Sequence, residues 1–297
     1  MRNFLASGAA ACILAVAVSA CAGTPSERGE LATTPQGSKD VAQWSMPLDS
    51  YLEVAQSAVP REAWLVSMSS CMTGAGFPGP EVPVGFAAPV DPTRNIVGYK
   101  LFDREIAEKY GYHDASMLPE FAYVDPGDSF GVLIQQFGEP AQAAFDSCSA
   151  EFDGLLASDA SSDDKSSMWL SVEAAHQVES SGALADVRGA WRKCMEPQGV
   201  PGLSDGPEDF PLIAMTESGL DLSGDGVARS APTPREIELA IADAECRDSS
   251  GYSQKRYDLE WEAESKLLDA NRAHLEEERA KNQAKIDEAT AVLAEER

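Results

Sequence analysis

Cys71-Met72-Thr73-Gly74-Ala75-Gly76-Phe77-Pro78-Gly79 recurs later in the chain as Cys194-Met195-Glu196-Pro197-Gln198-Gly199-Val200-Pro201-Gly202. The two stretches share C-M-x-x-x-G-x-P-G, five identities in nine positions, and this marks an internal duplication. The flanks repeat as well. Trp64, Met68 and Cys71 recur at helical spacing before the first copy, and Val187, Trp191 and Cys194 before the second. In both copies glycine then supplies a left-handed turn and proline prevents the helix from continuing. Each copy closes with a second helix that carries one cysteine. The first starts at Pro140 and runs through Ala141, Ala144, Phe145, Cys148 and Phe152. The second starts at Thr233-Pro234-Arg235-Glu236, a capping box with proline at the first helical position, and continues through Ile237, Leu239, Ala242 and Cys246.

The N-terminal segment has one early charge, Arg2, an apolar stretch from about Ala9 to Val18, and Val18-Ser19-Ala20-Cys21. These are the parts of a secretory signal, and the last four residues resemble the lipobox of bacterial lipoproteins. The apolar run is shorter than the ~20 residues needed to span a bilayer. What the lipobox implies is removal of residues 1–20, lipidation of the Cys21 sulfur, and anchoring to the extracytoplasmic face of the cell membrane. Cys12 then leaves with the signal, and Cys71, Cys148, Cys194 and Cys246 remain in an oxidising compartment. Two disulfides follow as the default, with three connectivities open. The parallel layout of the copies favours Cys71 with Cys148 and Cys194 with Cys246. No C-x-x-C pair and no histidine beside a cysteine points to zinc.

The chain carries 49 acidic against 23 basic residues, a net charge of -26, with no Lys/Arg cluster. Such a surface repels nucleic acid and anionic head groups, so nucleic-acid binding is excluded. Residues 21–47 hold the lipidated cysteine and a Thr/Ser/Gly/Pro-rich flexible tether. Segments 77–92 and 197–234 are dense in Pro and Gly and are expected to be extended or turned. Between them, Glu105 to Tyr110 predicts a short helix and Phe121 to Val124 a short strand. From Ser253 onward there is no Gly or Pro, and Ala, Glu, Lys, Arg and Leu dominate. That composition predicts a long charged helix. Trp261, Leu268, Leu275, Asn282 and Ala289 recur every seven residues, but the row four residues on is largely polar. A strict coiled coil needs both rows apolar. The helix is therefore expected to pack on the body through Trp261 and Leu268 and to be increasingly solvated beyond them. The predicted fold is mainly α: two disulfide-stapled helical repeats, residues 48–157 and 158–250, with long Pro/Gly-rich loops, and a long C-terminal helix over 251–297.

The lipobox, the repeated Cys-Met followed by Gly-Phe or Gly-Val, Tyr110-Gly111-Tyr112-His113 after a charged helix, and the long C-terminal helix together resemble a group of secreted actinobacterial lipoproteins. The resemblance implies location and architecture, and it brings no activity with it.

Three stretches bear on chemistry. Gly127-Asp128-Ser129-Phe130-Gly131 fits G-x-S-x-G, which would make Ser129 the nucleophile of an envelope hydrolase with His176 or His274 as base. Pro126 interrupts the strand-to-elbow junction, however, and no parallel-sheet pattern surrounds it. His176 shares a helical stripe with Trp169 and Val172, as a packing histidine would, and His274 sits on the charged helix. Asp221-Leu222-Ser223-Gly224-Asp225-Gly226 resembles the start of a calcium loop, with Asp221, Ser223 and Asp225 as ligands. The twelfth position is Pro232 where glutamate is needed, so an acidic turn is expected. Tyr110, Tyr112 and His113 offer aromatics able to stack on a sugar or peptide. The chain thus reads as a non-catalytic, cofactor-free, monomeric binding or spacer protein, membrane-held through Cys21, whose partner is a cell-wall polymer or another envelope protein. The alternatives are the Ser129 hydrolase and a structural oligomer built through the C-terminal helix.

Overall fold

The computed structural model describes residues 38–83, 101–113, 126–156, 164–219 and 231–296. The first five helices are α1 (Asp49–Ala55), α2 (Val59–Gly74), α3 (Arg104–Tyr110), α4 (Asp128–Phe137) and α5 (Glu139–Leu156). The rest are α6 (Ser167–Ser180), α7 (Ala185–Met195), α8 (Phe210–Glu217), α9 (Pro234–Ser249) and α10 (Tyr252–Glu296). The described residues contain no strand, only one isolated antiparallel bridge between Asp40 and Ser45. The predicted strand at 121–124 lies outside them.

Both copies of the Cys-Met motif end a helix as expected. After α2, Gly76 takes φ +90°, the Phe77 N–H donates to the Met72 carbonyl at 3.0 Å, and the Gly76 N–H donates to Thr73. That pair of bonds satisfies the last carbonyls of the helix. After α7 a short 3-10 turn, Glu196–Gln198, leads into Gly199 at φ +64°. The motif's methionines, Met72 and Met195, are fully buried, whereas the adjacent cysteines face the partner helix. Cys71 bonds Cys148 on α5, and Cys194 bonds Cys246 on α9. The capping box of α9 forms as read, with Thr233 accepting from the Glu236 N–H.

Each bridge stands beside its own apolar core. One gathers Leu65, Met68, Met72, Phe130, Leu133 and Leu155 from α2, α4 and α5. The other gathers Trp191, Met195, Phe210, Ala214, Leu239 and Ala244 from α7, α8 and α9. The second core also takes in Phe102, Ala107 and Tyr112 around α3, a segment assigned from sequence to the first repeat. The helix α3, capped by Asp103, lies against α9, and Arg104 pairs with Glu245 there.

Three expectations are corrected. The tether does not reach residue 47: Trp44 and Met46 are buried, and Trp44 meets Tyr257 edge to face at 5.2 Å. The Pro/Gly-rich stretch 197–234 holds α8, because proline in the first helical turn gives up no needed hydrogen bond and Phe210 and Ala214 supply a buried face. Finally, α10 is not solvated beyond Leu268. It buries Leu275 against α1, and Ala289 and Leu293 in the first core, far along its ~67 Å length at 1.5 Å per residue. Its one apolar row is therefore used within the chain. Polar groups reinforce the contact: Tyr51 Oη donates to Glu276, and the Ser167 N–H donates to Glu278.

Candidate functional site

On α9 the spacing of Glu236, Leu239, Ala240, Asp243 and Arg247 places three ionisable side chains on the helix face that carries the second core. All three are buried, and each finds partners. Asp243 accepts from Trp191 Nε1 at 2.8 Å, from Tyr112 Oη at 3.1 Å and from Arg247 at 2.9 and 3.0 Å. Arg247 also donates to the Pro207 carbonyl at 2.7 Å. Glu236 accepts from the Tyr112 N–H and lies 2.9 Å from His113 Nδ1. Burial alone would lower the Arg247 pKa; the Asp243 carboxylate more than reverses this and holds it above its ordinary value. Burial, and then the same carboxylate, pushes the Tyr112 hydroxyl well above the usual phenol range.

This network corrects the reading of Tyr110, Tyr112 and His113 as a stacking platform. The two tyrosines and the histidine are nearly inaccessible, because Tyr112 and His113 complete the hydrogen bonds of buried carboxylates on α9. Gly111 makes that approach possible: it sits at φ +57°, and a Cβ there would stand 2.6 Å from Glu236 Oε1 and 3.0 Å from Pro232 Cβ. Gly111→Ala is expected to destabilise the chain by about 2 to 4 kcal/mol, the left-handed strain plus the overlap. Gly138→Ala, also at positive φ but with nothing within 4 Å, serves as the comparison and should lose about half as much, measured by urea unfolding.

Ser129 does not sit on a nucleophile elbow. It lies in the first turn of α4, with Gly127 already in the right-handed helical region and the Ser129 N–H donating to Pro126. Its G-x-S-x-G neighbours form a helix N-terminus with no sharp turn at the serine, which the elbow requires. The histidine stripe of α6 is also turned round. Leu170, Ala174 and Val178 face α10, while Trp169, Val172 and His176 face outward. The other proposed base, His274, is half-buried on α10. Cys21 and the calcium-loop residues Asp221, Ser223 and Asp225 lie outside the described residues.

A second polar row runs along α10 at four-residue intervals: Tyr252, Arg256, Glu260 and Glu264, all buried. Arg256 donates to Glu260 at 2.6 Å, to Tyr252 Oη at 3.1 Å and to Glu179 on α6 at 3.0 Å. Tyr252 in turn donates to Glu208, which Arg188 also holds at 2.6 Å. Glu264 accepts from Ser171 Oγ at 3.0 Å and from the Leu48 N–H at 3.1 Å. Burial raises the Glu260 pKa, against the opposing pull of Arg256. Where this row meets α6 a cleft of about 80 Å³ opens, with Glu260, Glu264 and Ser171 as its polar lining. Trp44 and Met46 form one apolar wall, Val172 and Ala175 the other. Trp44 is held at φ +46°, a conformation that bulky residues rarely adopt and that persists only when the surroundings impose it. Here Tyr257 imposes it, donating to the Ser45 carbonyl and accepting from the Asp40 N–H.

No known family, characterised protein or solved structure matches the chain in comparison. The site residues that sequence reasoning passed over are Trp44, Ser171, Glu260 and Glu264, together with Asp243 and Arg247. Asp243 and Arg247 carried a signal, as ionisable residues at i, i+4 beside Leu239 and Ala240 on α9, whereas the other four carried none.

Proposed function

We propose that the protein is a lipid-anchored, extracytoplasmic component of the cell envelope that acts by binding or spacing and not by catalysis. The observation that carries this is Val18-Ser19-Ala20-Cys21 at the end of a short apolar run. Two disulfides suit an oxidising compartment. Among the described residues no helix is long and apolar enough to cross a membrane, so a lipid on Cys21 would supply the attachment. On this proposal the chain is one of the secreted actinobacterial lipoproteins it resembles, and its polar clusters serve to join helices and frame the α6–α10 cleft.

Cys21→Ser decides the anchoring. Fractionation of producing cells should place the unaltered chain with the membrane, labelled by supplied palmitate, and should move the Cys21→Ser chain to the medium without label. Retention of the variant with the membrane would overturn the proposal. Co-sedimentation of the oxidised protein with purified cell wall then separates the two kinds of partner. Saturable retention points to a wall polymer, and its absence to an envelope protein.

A further inference from the structure

The outward face of α6 carries Met168, Trp169 and Val172, which are 50, 50 and 51 % exposed. At 100° per residue these three and Ala175 form one continuous stripe. The stripe runs directly into the cleft, because Val172 and Ala175 belong to both. Single exposed apolar residues are ordinary, but a contiguous group beside a cleft marks an interaction surface. The cleft has room for the end of one side chain and is lined by two carboxylates, that of Glu264 and that of Glu260, the latter already paired with Arg256. The charged residues on the exposed side of α6, Glu173 and Glu179, are acidic as well.

We infer that this stripe and cleft dock a segment of a partner protein that combines apolar side chains with a lysine or arginine. The apolar residues cover Trp169 and Val172, and the cation enters toward Glu260 and Glu264. The inference rests on the proposal that the protein acts by binding. Charge selects this occupant over a second copy of the chain. With 49 acidic and 23 basic residues each, two copies repel one another. Three half-exposed side chains also fall far short of the ~800 Å² that each partner buries in a standard interface, so the footprint is that of a peptide segment. A cation brought to this lining meets the buried Glu264 carboxylate beside the Arg256–Glu260 pair, and the low local dielectric strengthens that attraction.

The test uses the full chain, oxidised and in nonionic detergent, with a short fluorescent peptide of leucine and lysine at helical spacing. A matched leucine and glutamate peptide is the control. Saturable binding of the lysine peptide alone, weakening as salt rises, is the expected result. Val172→Arg, which sets a positive charge at the cleft mouth, and Trp169→Ala should each weaken it about tenfold or more. Leu212→Ala, at an exposed apolar residue of α8, should leave it unchanged. All three substituted positions are on the surface, so folding is not at stake. The inference is overturned if the lysine peptide does not bind saturably, or if all variants bind it equally, as general attraction to an acidic surface would require. It is equally overturned if Trp169→Ala dissolves a dimer of the unaltered chain. Membrane release of Cys21→Ser is read separately, so failure of the docking surface and failure of the anchoring proposal are distinguishable.

Discussion

Replacing either cysteine pair by alanine is expected to lower the unfolding free energy by about 4 kcal/mol, and the two replacements together should lower it by roughly twice that. The bridges span 77 and 52 residues. Loop-closure entropy depends only on the logarithm of that length, so the two contributions are nearly equal. For a chain of this size each loss corresponds to a fall in Tm of roughly 8 to 16 °C. The bridges differ in access. Cys194 is exposed, whereas Cys71 is half-buried and Cys148 buried. A thiolate must reach a sulfur to open a disulfide, so limiting reductant should open Cys194–Cys246 first. Alkylation followed by peptide mass mapping checks the order. Equal Tm before and after full reduction would show that the cores alone hold the helices.

Arg247→Met should destabilise the second core by about 3 to 5 kcal/mol, because it leaves Asp243 buried without its cation. Asp243→Leu should be at least as damaging. It removes the acceptor of Arg247, Trp191 Nε1 and Tyr112 Oη together. Each donor stranded in this way costs about 1 to 3 kcal/mol. For the same reason the double replacement should recover only part of the loss, since Trp191 and Tyr112 remain without the carboxylate. Urea midpoints for the four chains at neutral pH measure all of this. An Arg247→Met chain within 1 kcal/mol of the unaltered one would mean that water reaches the pair.

The helices that could be read from the sequence are those whose ends are written in strong local chemistry. Gly76 and Gly199 close α2 and α7, and Thr233-Pro234-Arg235-Glu236 opens α9. The duplication favoured one of the three cysteine pairings, and that is the pairing present. What escaped was set by contacts between distant segments. The buried row of α10 includes Arg256, Glu260 and Glu264, which resemble a solvated face until their partners Tyr252, Glu179, Ser171 and Leu48 are placed beside them. Tyr112 and His113 looked like a surface motif because nothing local reveals the carboxylates of Glu236 and Asp243 that enclose them. On α6, two apolar stripes compete, and only the tertiary fold decides that Leu170 and Ala174 go inward while Trp169 and Val172 stay out. The candidate cleft combines both difficulties, for its walls come from residues 44–46, 171–175 and 260–264.

The return of α10 to the first core also sets the order in which the molecule can be completed. Met68 and Met72 are synthesised early, yet the core around them includes Ala289 and Leu293, supplied only when almost the whole chain has been made. Contacts so distant in sequence form late and slowly. A growing chain of this kind leaves the first core open on one side until its last helix arrives. Removing α10 would accordingly strip a side from the first core, where an appendage could be lost without harm.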